Sequence, residues 1–226
     1  MIGKMREKRL YNMNLNLRSE VVTWNEYQRN VNNLCKQITD KYDFLIGVFQ
    51  GGYIVALSIA DKMIDSAVGG IISKKDFKTD NIFLPNFEEN FTNVLKGKKV
   101  LLIDEVVDSG YSLLLCKKAL MCINVKLVHS ACLYLNTESD ESVEYYVKKF
   151  DGEINYIFPW RYNRDVGSLL VDVMKNNHLY TIEDLRNSCH NIFDIEVECS
   201  AIDKILNRNK AIFEKVCDRW RLKNEV

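Results

Sequence analysis

The chain is predicted to be an α/β protein, a parallel sheet with flanking helices that is followed by a small helical module. Short apolar runs alternate with segments of helical periodicity from about residue 23 to residue 158, as strands and helices do in parallel sheets. Beyond about residue 165 this alternation stops, and apolar residues recur at helical spacing. The sequence therefore predicts two domains, residues 1–164 and 165–226.

The first domain is expected to begin with a helix over residues 23–39, where Val31, Leu34 and Ile38 have helical spacing. Continuous apolar runs are typical of strands that are buried on both faces of a sheet. Such strands are predicted at 43–48, 67–72, 98–104, 125–135 and 155–158. Helices are predicted after the first strand, over 53–64, and after the third, over 110–122.

The second domain is predicted to contain three helices and a terminal hairpin. The first helix covers residues 168–176. Thr181 with Asp184 is expected to cap the second helix, and Ser200 with Asp203 the third. The partial alternation of residues 212–222 favours a short hairpin.

Composition excludes several classes of function. The 226 residues include 31 basic and 31 acidic side chains, so a global basic field for nucleic acid is absent. The seven cysteines lack CxxC spacing, which argues against a zinc site and a disulfide framework and favours free thiols in the cytoplasm. The chain shows neither a signal peptide nor an apolar run of the ~18 residues a membrane helix needs.

The chemistry is expected in the segment VLLIDEVVDSGYSL, residues 100–113. A buried strand ends at Asp104 and Glu105, whose carboxylates can accept hydrogen bonds from vicinal hydroxyls and help to place a magnesium ion. Residues 108–112 (Asp-Ser-Gly-Tyr-Ser) begin a helix, where unpaired N–H groups and the helix dipole favour a phosphate. Taken alone, Asp108 and Ser109 would be an ordinary helix cap.

This segment resembles the 5-phosphoribosyl-1-pyrophosphate (PRPP) motif of the type I phosphoribosyltransferases. That motif is a hydrophobic strand, two acidic residues, two hydrophobic residues and Asp-(Thr/Ser)-Gly-x-(Thr/Ser), and the chain matches it throughout. The resemblance implies that Asp104 and Glu105 bind the ribose hydroxyls and Mg²⁺, and that Asp108 accepts a proton near N7 of a purine. It also implies a 5-phosphate cradle formed by Asp108, Ser109, Gly110, Tyr111 and Ser112.

A second strand-to-helix turn resembles the pyrophosphate loop of the same family. It consists of Phe49, Gln50, Gly51 and Gly52. The family has Lys or Arg before the two glycines, often at a non-proline cis peptide bond, whereas this chain has Gln50 and so lacks that charge. Backbone N–H groups remain available to the pyrophosphate. On its own, a Gly-Gly pair is also typical of an ordinary turn.

Residues 73–97 occupy the position of the mobile loop that closes over PRPP in the family. Closure would exclude water from an intermediate with oxocarbenium character. Lys74 and Lys75 are candidate phosphate contacts there, or else ordinary solvated surface lysines.

Residues 155–160 (Asn-Tyr-Ile-Phe-Pro-Trp) resemble the base-binding hood of xanthine/guanine/hypoxanthine-type members. The resemblance implies base contacts from Asn155, Tyr156 and Trp160, which could equally be core aromatics and their neighbours. Asn136 stands where purine enzymes carry the lysine that meets the 6-oxo group. An amide can still donate a hydrogen bond to that group.

Residues 165–226 resemble a winged helix-turn-helix, with residues 198–209 as the recognition-type helix and 212–222 as the wing. The end of the module is basic and the preceding part is acidic, so DNA binding does not follow from charge. A helical appendage for packing, dimerisation or partner binding is the alternative.

The predicted function is Mg²⁺-dependent transfer of phosphoribose from PRPP to a nucleobase, a purine by resemblance, with release of pyrophosphate. The alternative is a sensor or effector that binds a nucleotide and acts through residues 165–226 on nucleic acid or a protein, with a loose resemblance to accessory proteins of bacterial defence operons. A hydrolase that releases a base without PRPP is a third hypothesis. The family resemblance also implies a homodimer.

Overall fold

The structure, a computed structural model, describes residues 18–63, 65–72, 74–75, 82–83, 89–176 and 178–223, with no side chains described over 73–91. The chain forms two compact units. The sheet unit is Asn25–Gly152, and the terminal unit combines Met1–Trp24 with Glu153–Val226. The predicted domain boundary at residue 164 stays a prediction, although residues 153–164 group by contacts with the C-terminal helices.

The strands are β1 Arg18–Val21, β2 Phe44–Val48, β3 Ala67–Ile71, β4 Lys74–Lys75, β5 Ile82–Phe83, β6 Lys99–Val107, β7 Leu127–Asn136, β8 Tyr145–Phe150, β9 Ile154–Ile157, β10 Phe213–Val216 and β11 Arg219–Leu222. The helices are α1 Trp24–Gln37, α2 Gly51–Ala60, α3 Glu89–Leu95, α4 Tyr111–Cys122, α5 Tyr162–Met174, α6 Ile182–Phe193 and α7 Cys199–Arg208, with a 3₁₀ turn at Pro159–Arg161.

The sheet unit is built on five parallel strands in the order β3-β2-β6-β7-β8. The predicted fold class, a parallel sheet with flanking helices, is confirmed. The apolar runs of β2 and β6 lie at the centre of the sheet, where Leu45, Ile46 and residues 100–103 are fully buried. The helix α4 adds Leu113, Cys116 and Leu120 to this core, which explains the apolar character of both its neighbouring strand and the helix itself.

The strand order reverses between β2 and β6, because β3 lies on the far side of β2 whereas β7 and β8 continue beyond β6. In open parallel sheets, ligands bind at such a switch point, outside the carboxyl ends of the strands. Both predicted phosphate-binding turns follow these two strands. The topology therefore brings the predicted pyrophosphate loop and the predicted PRPP segment to one edge of the sheet.

The terminal unit contains the parallel pair β1–β9, the helices α5–α7 and the antiparallel hairpin β10–β11. Its core includes Ile157, Phe193, Ile202, Phe213 and Trp220. Tyr180, between α5 and α6, forms an isolated antiparallel bridge with Trp220 of the hairpin. The predicted third helix and terminal hairpin are therefore present, although the winged-helix assignment stays a prediction.

Local capping was predicted correctly at one helix and wrongly at another. At α6, Thr181 Oγ1 accepts a hydrogen bond from Asp184 N (3.1 Å), and Asp184 Oδ2 accepts one from Thr181 N (2.8 Å). The expected Ser200 cap of α7 is wrong, because the helix already begins at Cys199 with Glu198 as its N-cap. Ser200 Oγ instead donates to Glu198 Oε2 (3.2 Å).

Some elements were not predicted, notably β1, the edge strand β8, and the helix α3 within the expected loop 73–97. In that segment only the backbone of the small β4–β5 hairpin and of α3 is described up to residue 91. The side chains of Lys74 and Lys75 lie outside the described residues. Within the described part of the chain, the helices are all too short or too polar to cross a membrane.

Candidate active site

The PRPP segment, residues 100–113, includes nearly all of β6, which extends to Val107 and so further than predicted. Residues 100–103 are buried, and Asp104 and Glu105, which follow on the same strand, are half-buried. Glu105 N donates to Asp104 Oδ1 (2.9 Å). The continuous apolar run anchors the strand, and the two carboxylates therefore emerge at a fixed position on the edge of the sheet.

The turn from β6 into α4 is formed by residues 108–110. Gly110, the N-cap of α4, has φ 79°, a left-handed conformation that favours glycine, and it supplies no side-chain cap to the helix. Asp108, Ser109 and Ser112 are exposed around it. The start of α4 can therefore present N–H groups and hydroxyls to a phosphate, and the 5-phosphate contact itself stays a prediction.

The turn from β2 into α2 lies directly beside the PRPP segment. The Phe49–Gln50 peptide bond is cis, as the resemblance implied. Gly51 and Gly52 are buried in the first turn of α2. A Cβ on Gly51 would overlap the Glu105 carboxylate, and one on Gly52 would lie 2.8 Å from Asp104 Cα. The two predicted phosphate-binding elements thus pack against each other.

Asn136, the last residue of β7, does not point an unused amide at the site. Its Nδ2 donates to Asp108 Oδ1 (2.7 Å) and to Gly152 O (2.9 Å), and its Oδ1 accepts from Glu138 N (3.0 Å). The side chain is buried, with 5% exposure. The predicted base contact of Asn136 stays a prediction, and it would require one of these hydrogen bonds to break.

The residues that follow Asn136 brace the phosphate-binding turn. Asp140 N donates to Ser109 O (3.4 Å), and a Cβ on Gly110 would meet Glu141 Cβ at 2.5 Å and Ser139 Oγ at 2.7 Å. Buried Lys117 of α4 holds this segment by donating to Glu141 Oε1 (2.7 Å) and Ser142 O (3.0 Å). This brace could not be predicted from the sequence, because lysine, serine and glutamate at these spacings are ordinary surface residues.

The Glu144 carboxyl extends the same network. Partial burial opposes its charge, but hydrogen bonds from Ser130 Oγ (2.7 Å) and Ser130 N (2.6 Å), together with nearby Lys117, outweigh that effect. The net result is that the pKa of Glu144 is lowered. Glu144 is therefore ionised at neutral pH.

Two thiols lie near Asp104. Burial raises the pKa of the Cys116 thiol to about 12, and the negative charge of Asp104 adds to the shift. The same two causes raise the pKa of Cys132, which lies on β7 opposite Asp104 of β6. Both thiols are protonated at neutral pH, so neither is a nucleophile for the reaction.

The predicted base-binding residues Asn155, Tyr156 and Trp160 lie in the terminal unit. Tyr156 is buried (2% exposed), so a base could stack on its ring only after rearrangement. Trp160 stacks on Phe158, with ring centroids 4.7 Å apart, and Asn155 Nδ2 donates to Ser19 Oγ (3.4 Å). Base binding by these residues stays a prediction.

The fold and these two turns are typical of a class of protein, namely those that bind a phosphorylated ligand at the switch point of a parallel sheet. The family model for the phosphoribosyl transferase domain matches residues 19–166, which is more than half of the chain. The chain therefore belongs to the phosphoribosyltransferase family, whose members generally use PRPP and Mg²⁺.

Several solved structures share this fold. A purine phosphoribosyltransferase from Pyrococcus horikoshii is 24% identical with a TM-score of 0.56, over 64% of this chain and 94% of that one. The xanthine-guanine-hypoxanthine phosphoribosyltransferase of Helicobacter pylori is 20% identical with a TM-score of 0.52, over 66% and 96%.

A Neisseria gonorrhoeae hypothetical protein with bound ppGpp is 22% identical with a TM-score of 0.54, over 66% of this chain and 91% of that one. No curated protein matches the chain significantly.

Proposed function

We propose that the chain transfers phosphoribose from PRPP to a nucleobase, in particular a purine, and releases pyrophosphate. The observation that carries this proposal is the packing of Gly51 and Gly52 against Asp104 and Glu105 at the switch point of the sheet. In that arrangement the proposed pyrophosphate loop lies beside the two carboxylates that we propose bind the ribose. The structural relatives that are named as purine phosphoribosyltransferases support the choice of base.

The reaction breaks the bond between ribose C1 and the pyrophosphate oxygen, and it forms a bond between C1 and a ring nitrogen. The electron pair of the broken bond leaves with the pyrophosphate, and the purine loses a proton from its N7 to a carboxylate. Asp108 is the proposed proton acceptor. Residues 108–112 hold the 5-phosphate, and the N–H groups of residues 49–52 contact the pyrophosphate in place of the missing cation at Gln50.

Magnesium fits the carboxylates that are present. Among the described residues no group of three or more His, Cys, Asp or Glu side chains forms a metal cage. Mg²⁺ commonly binds through one or two carboxylates together with substrate phosphates, and Asp104 and Glu105 offer that donor set. The ion would neutralise charge on the leaving pyrophosphate, while the two side chains orient the ribose hydroxyls.

The first test is calorimetry of PRPP binding to the intact chain, with and without Mg²⁺. We expect binding that requires Mg²⁺ and that weakens at least about 100-fold in Asp104→Asn/Glu105→Gln, since two charge-assisted contacts are lost. The variant Glu196→Gln/Glu198→Gln removes the same charge from exposed positions of the terminal unit and should bind normally. A folded wild-type chain that does not bind PRPP would exclude the enzyme.

Pyrophosphate release with individual bases would follow. We expect turnover with hypoxanthine, guanine or xanthine. Turnover with a pyrimidine alone would contradict the purine assignment. Release of a free base from a nucleotide in the absence of PRPP would instead identify a hydrolase.

A second candidate function is an effector that acts on nucleic acid through its C-terminal module. The order α5, Tyr180 bridge, α6, α7 and β10–β11 supports a winged-helix arrangement. Residues 204–223 hold seven lysines and arginines against two acidic residues, whereas residues 178–203 hold six acidic residues and one arginine. The hairpin end of the module is therefore the part suited to phosphate contacts.

Fluorescence anisotropy with a labelled duplex would test this candidate. The variant Lys215→Gln/Arg219→Gln/Lys223→Gln removes three exposed cations and should weaken binding at least about tenfold. It should also flatten the salt dependence, because each cation that contacts a phosphate releases counterions from the duplex. The matched variant Lys36→Gln/Lys41→Gln/Lys126→Gln removes three exposed charges from the sheet unit and should bind as wild type. Equal losses in both variants, or no binding by the wild-type chain, would reject this function.

A homodimer, a protein partner of the C-terminal module and a cytoplasmic location remain proposals that follow from the family resemblance and composition. All seven cysteines are free thiols, which supports a reducing compartment. Sedimentation of the purified chain would measure its oligomeric state directly.

A further inference from the structure

The Asn136 side chain has a fully determined orientation. Its two N–H donors face the oxygens Asp108 Oδ1 and Gly152 O, and its carbonyl oxygen faces the Glu138 N–H. Exchanging the amide oxygen and nitrogen would place like atoms against each other in all three contacts. With 5% of its surface exposed, the amide has little water to replace a lost partner. Its orientation is therefore fixed by the protein.

The hydrogen bond to Asp108 joins the ends of two neighbouring strands. Asn136 is the last residue of β7, and Asp108 follows β6 directly. The Asp108 residue is exposed, and an exposed aspartate normally samples several rotamers. The 2.7 Å contact from a buried amide removes that freedom at Oδ1. The other carboxylate oxygen then has a defined position.

We infer that Asn136 is a positioning residue, which acts on the reaction by holding the Asp108 carboxylate and not by contacting the base. The inference rests on the proposed function, in which Asp108 accepts the proton from the ring nitrogen. A proton acceptor must lie within hydrogen-bond reach of its proton. A carboxylate that is already held in place does not have to be ordered in each turnover, so the activation barrier is lower. The amide also supplies this order without adding charge next to Asp108.

The same amide connects Asp108 to the brace around the phosphate-binding turn. The carbonyl oxygen of Asn136 fixes Glu138 N, two residues before Asp140 N contacts Ser109 O. The turn that holds the 5-phosphate and the carboxylate that accepts the proton are therefore tied to one side chain. Loss of Asn136 should change the rate of transfer more than the affinity for PRPP, because most phosphate donors are on the backbone.

The test is a double-mutant cycle of Asn136→Leu and Asp108→Asn, measured as kcat and as KM for PRPP with the best base. Leucine keeps a similar volume and removes all three hydrogen bonds. We expect Asn136→Leu to lower kcat at least about tenfold with KM changed less than about threefold, as for loss of a hydrogen bond to a charged group. The double variant should be no slower than Asp108→Asn, since both remove one function.

The matched control is Asn30→Leu, which removes the Asn30 Nδ2 hydrogen bond to Tyr134 OH (2.9 Å) in the same unit. It should leave kcat within about twofold of wild type. A wild-type kcat in Asn136→Leu, or fully multiplicative losses in the double variant, would overturn the positioning role.

Crystal structures of the wild type and Asn136→Leu separate this inference from the proposed function. If the wild-type chain lacks transfer activity, the proposed function fails and the effect of Asn136 on the rate fails with it. The position of the Asp108 carboxylate still decides the structural part. An ordered carboxylate that moves or becomes disordered in Asn136→Leu supports the amide as its anchor, and an unchanged carboxylate contradicts it.

Discussion

The two strand-to-helix turns at the switch point of the sheet differ in why they contain glycine. In the β2–α2 turn, Gly52 is required because backbone atoms of β6 leave no room for a Cβ, and the space beside Gly51 is taken by the Glu105 carboxylate. In the β6–α4 turn, Gly110 is required by its backbone conformation, with φ 79°, and an added Cβ would also meet Glu141 Cβ at 2.5 Å. The first turn is fixed by packing against the sheet, and the second by its own geometry and by the brace from residues 139–141. Replacing glycine in two similar motifs can therefore disrupt them for different physical reasons.

The largest effect is expected for Gly52→Ala. Its Cβ would overlap the Ile103 carbonyl oxygen and lie 2.8 Å from Asp104 Cα, which are backbone atoms of a central strand. We expect a loss of about 3 kcal/mol or more in the free energy of unfolding, because overpacking against backbone cannot be relieved by a rotamer change. Urea denaturation would measure it.

The control for Gly52→Ala is Gly97→Ala. Gly97 has φ 73° and nothing within 4 Å of an added Cβ, so only the conformational penalty of about 1–2 kcal/mol applies. Equal losses at the two positions would show that space is not what selects glycine in the β2–α2 turn.

A smaller effect on stability and a larger one on binding are expected for Gly51→Ala. Its Cβ would displace the Glu105 carboxylate, which is the end of a flexible side chain and can move. We expect the fold to lose no more than about 1–2 kcal/mol while PRPP affinity falls roughly tenfold. Calorimetry and urea denaturation on the same preparation would separate the two outcomes. Unchanged affinity would mean that Glu105 does not need its present position.

Gln50→Lys should strengthen the binding of pyrophosphate groups, since it places a cation beside the two glycines. For an exposed charge we expect about a threefold to tenfold gain in PRPP affinity at low salt, with less gain at high salt. Gln37→Lys, at the exposed end of α1, adds the same charge elsewhere and should have no effect. A gain that persists at high salt would indicate direct contact in a shielded site.

The smallest effect is expected at the brace of the β6–α4 turn. The pKa of Glu144 is lowered from 4.5 in the folded chain, so the stability it contributes is present above pH 4.5 and is lost as pH falls through the folded value. Glu144→Gln should lower stability at pH 7 by no more than about 1 kcal/mol, because solvent screens a partly exposed group. The difference from wild type in urea denaturation should shrink as the pH falls below 4.5.

The PRPP segment could be predicted because its determinants are contiguous. The apolar run 100–103, the acidic pair and residues 108–112 define strand, edge and turn within fourteen positions, and the Thr181 cap is similarly local. Long-range contacts gave no such signal. Both hydrogen-bond donors of Asn136 are engaged by residues 28 and 16 positions away, so its amide could be read from the sequence as available.

The unpredicted elements have the same explanation. The edge strand β8 carries exposed Lys148 and Lys149, which suit a sheet edge but interrupt an apolar pattern. The four-residue strand β1 becomes a strand only through pairing with β9. The Ser200 cap was wrong because Glu198, two residues earlier, can begin the same helix.

The parallel pairing of β1 with β9 also has a consequence during synthesis of the chain. Ser19 and Asn155 hydrogen-bond across 136 residues of sequence. At a translation rate of roughly 5–20 residues per second, on the order of 10 s pass between the synthesis of β1 and that of its partner strand β9. The whole of the sheet unit emerges in that interval, and β1 meanwhile offers unpaired backbone groups to any other strand or chaperone nearby.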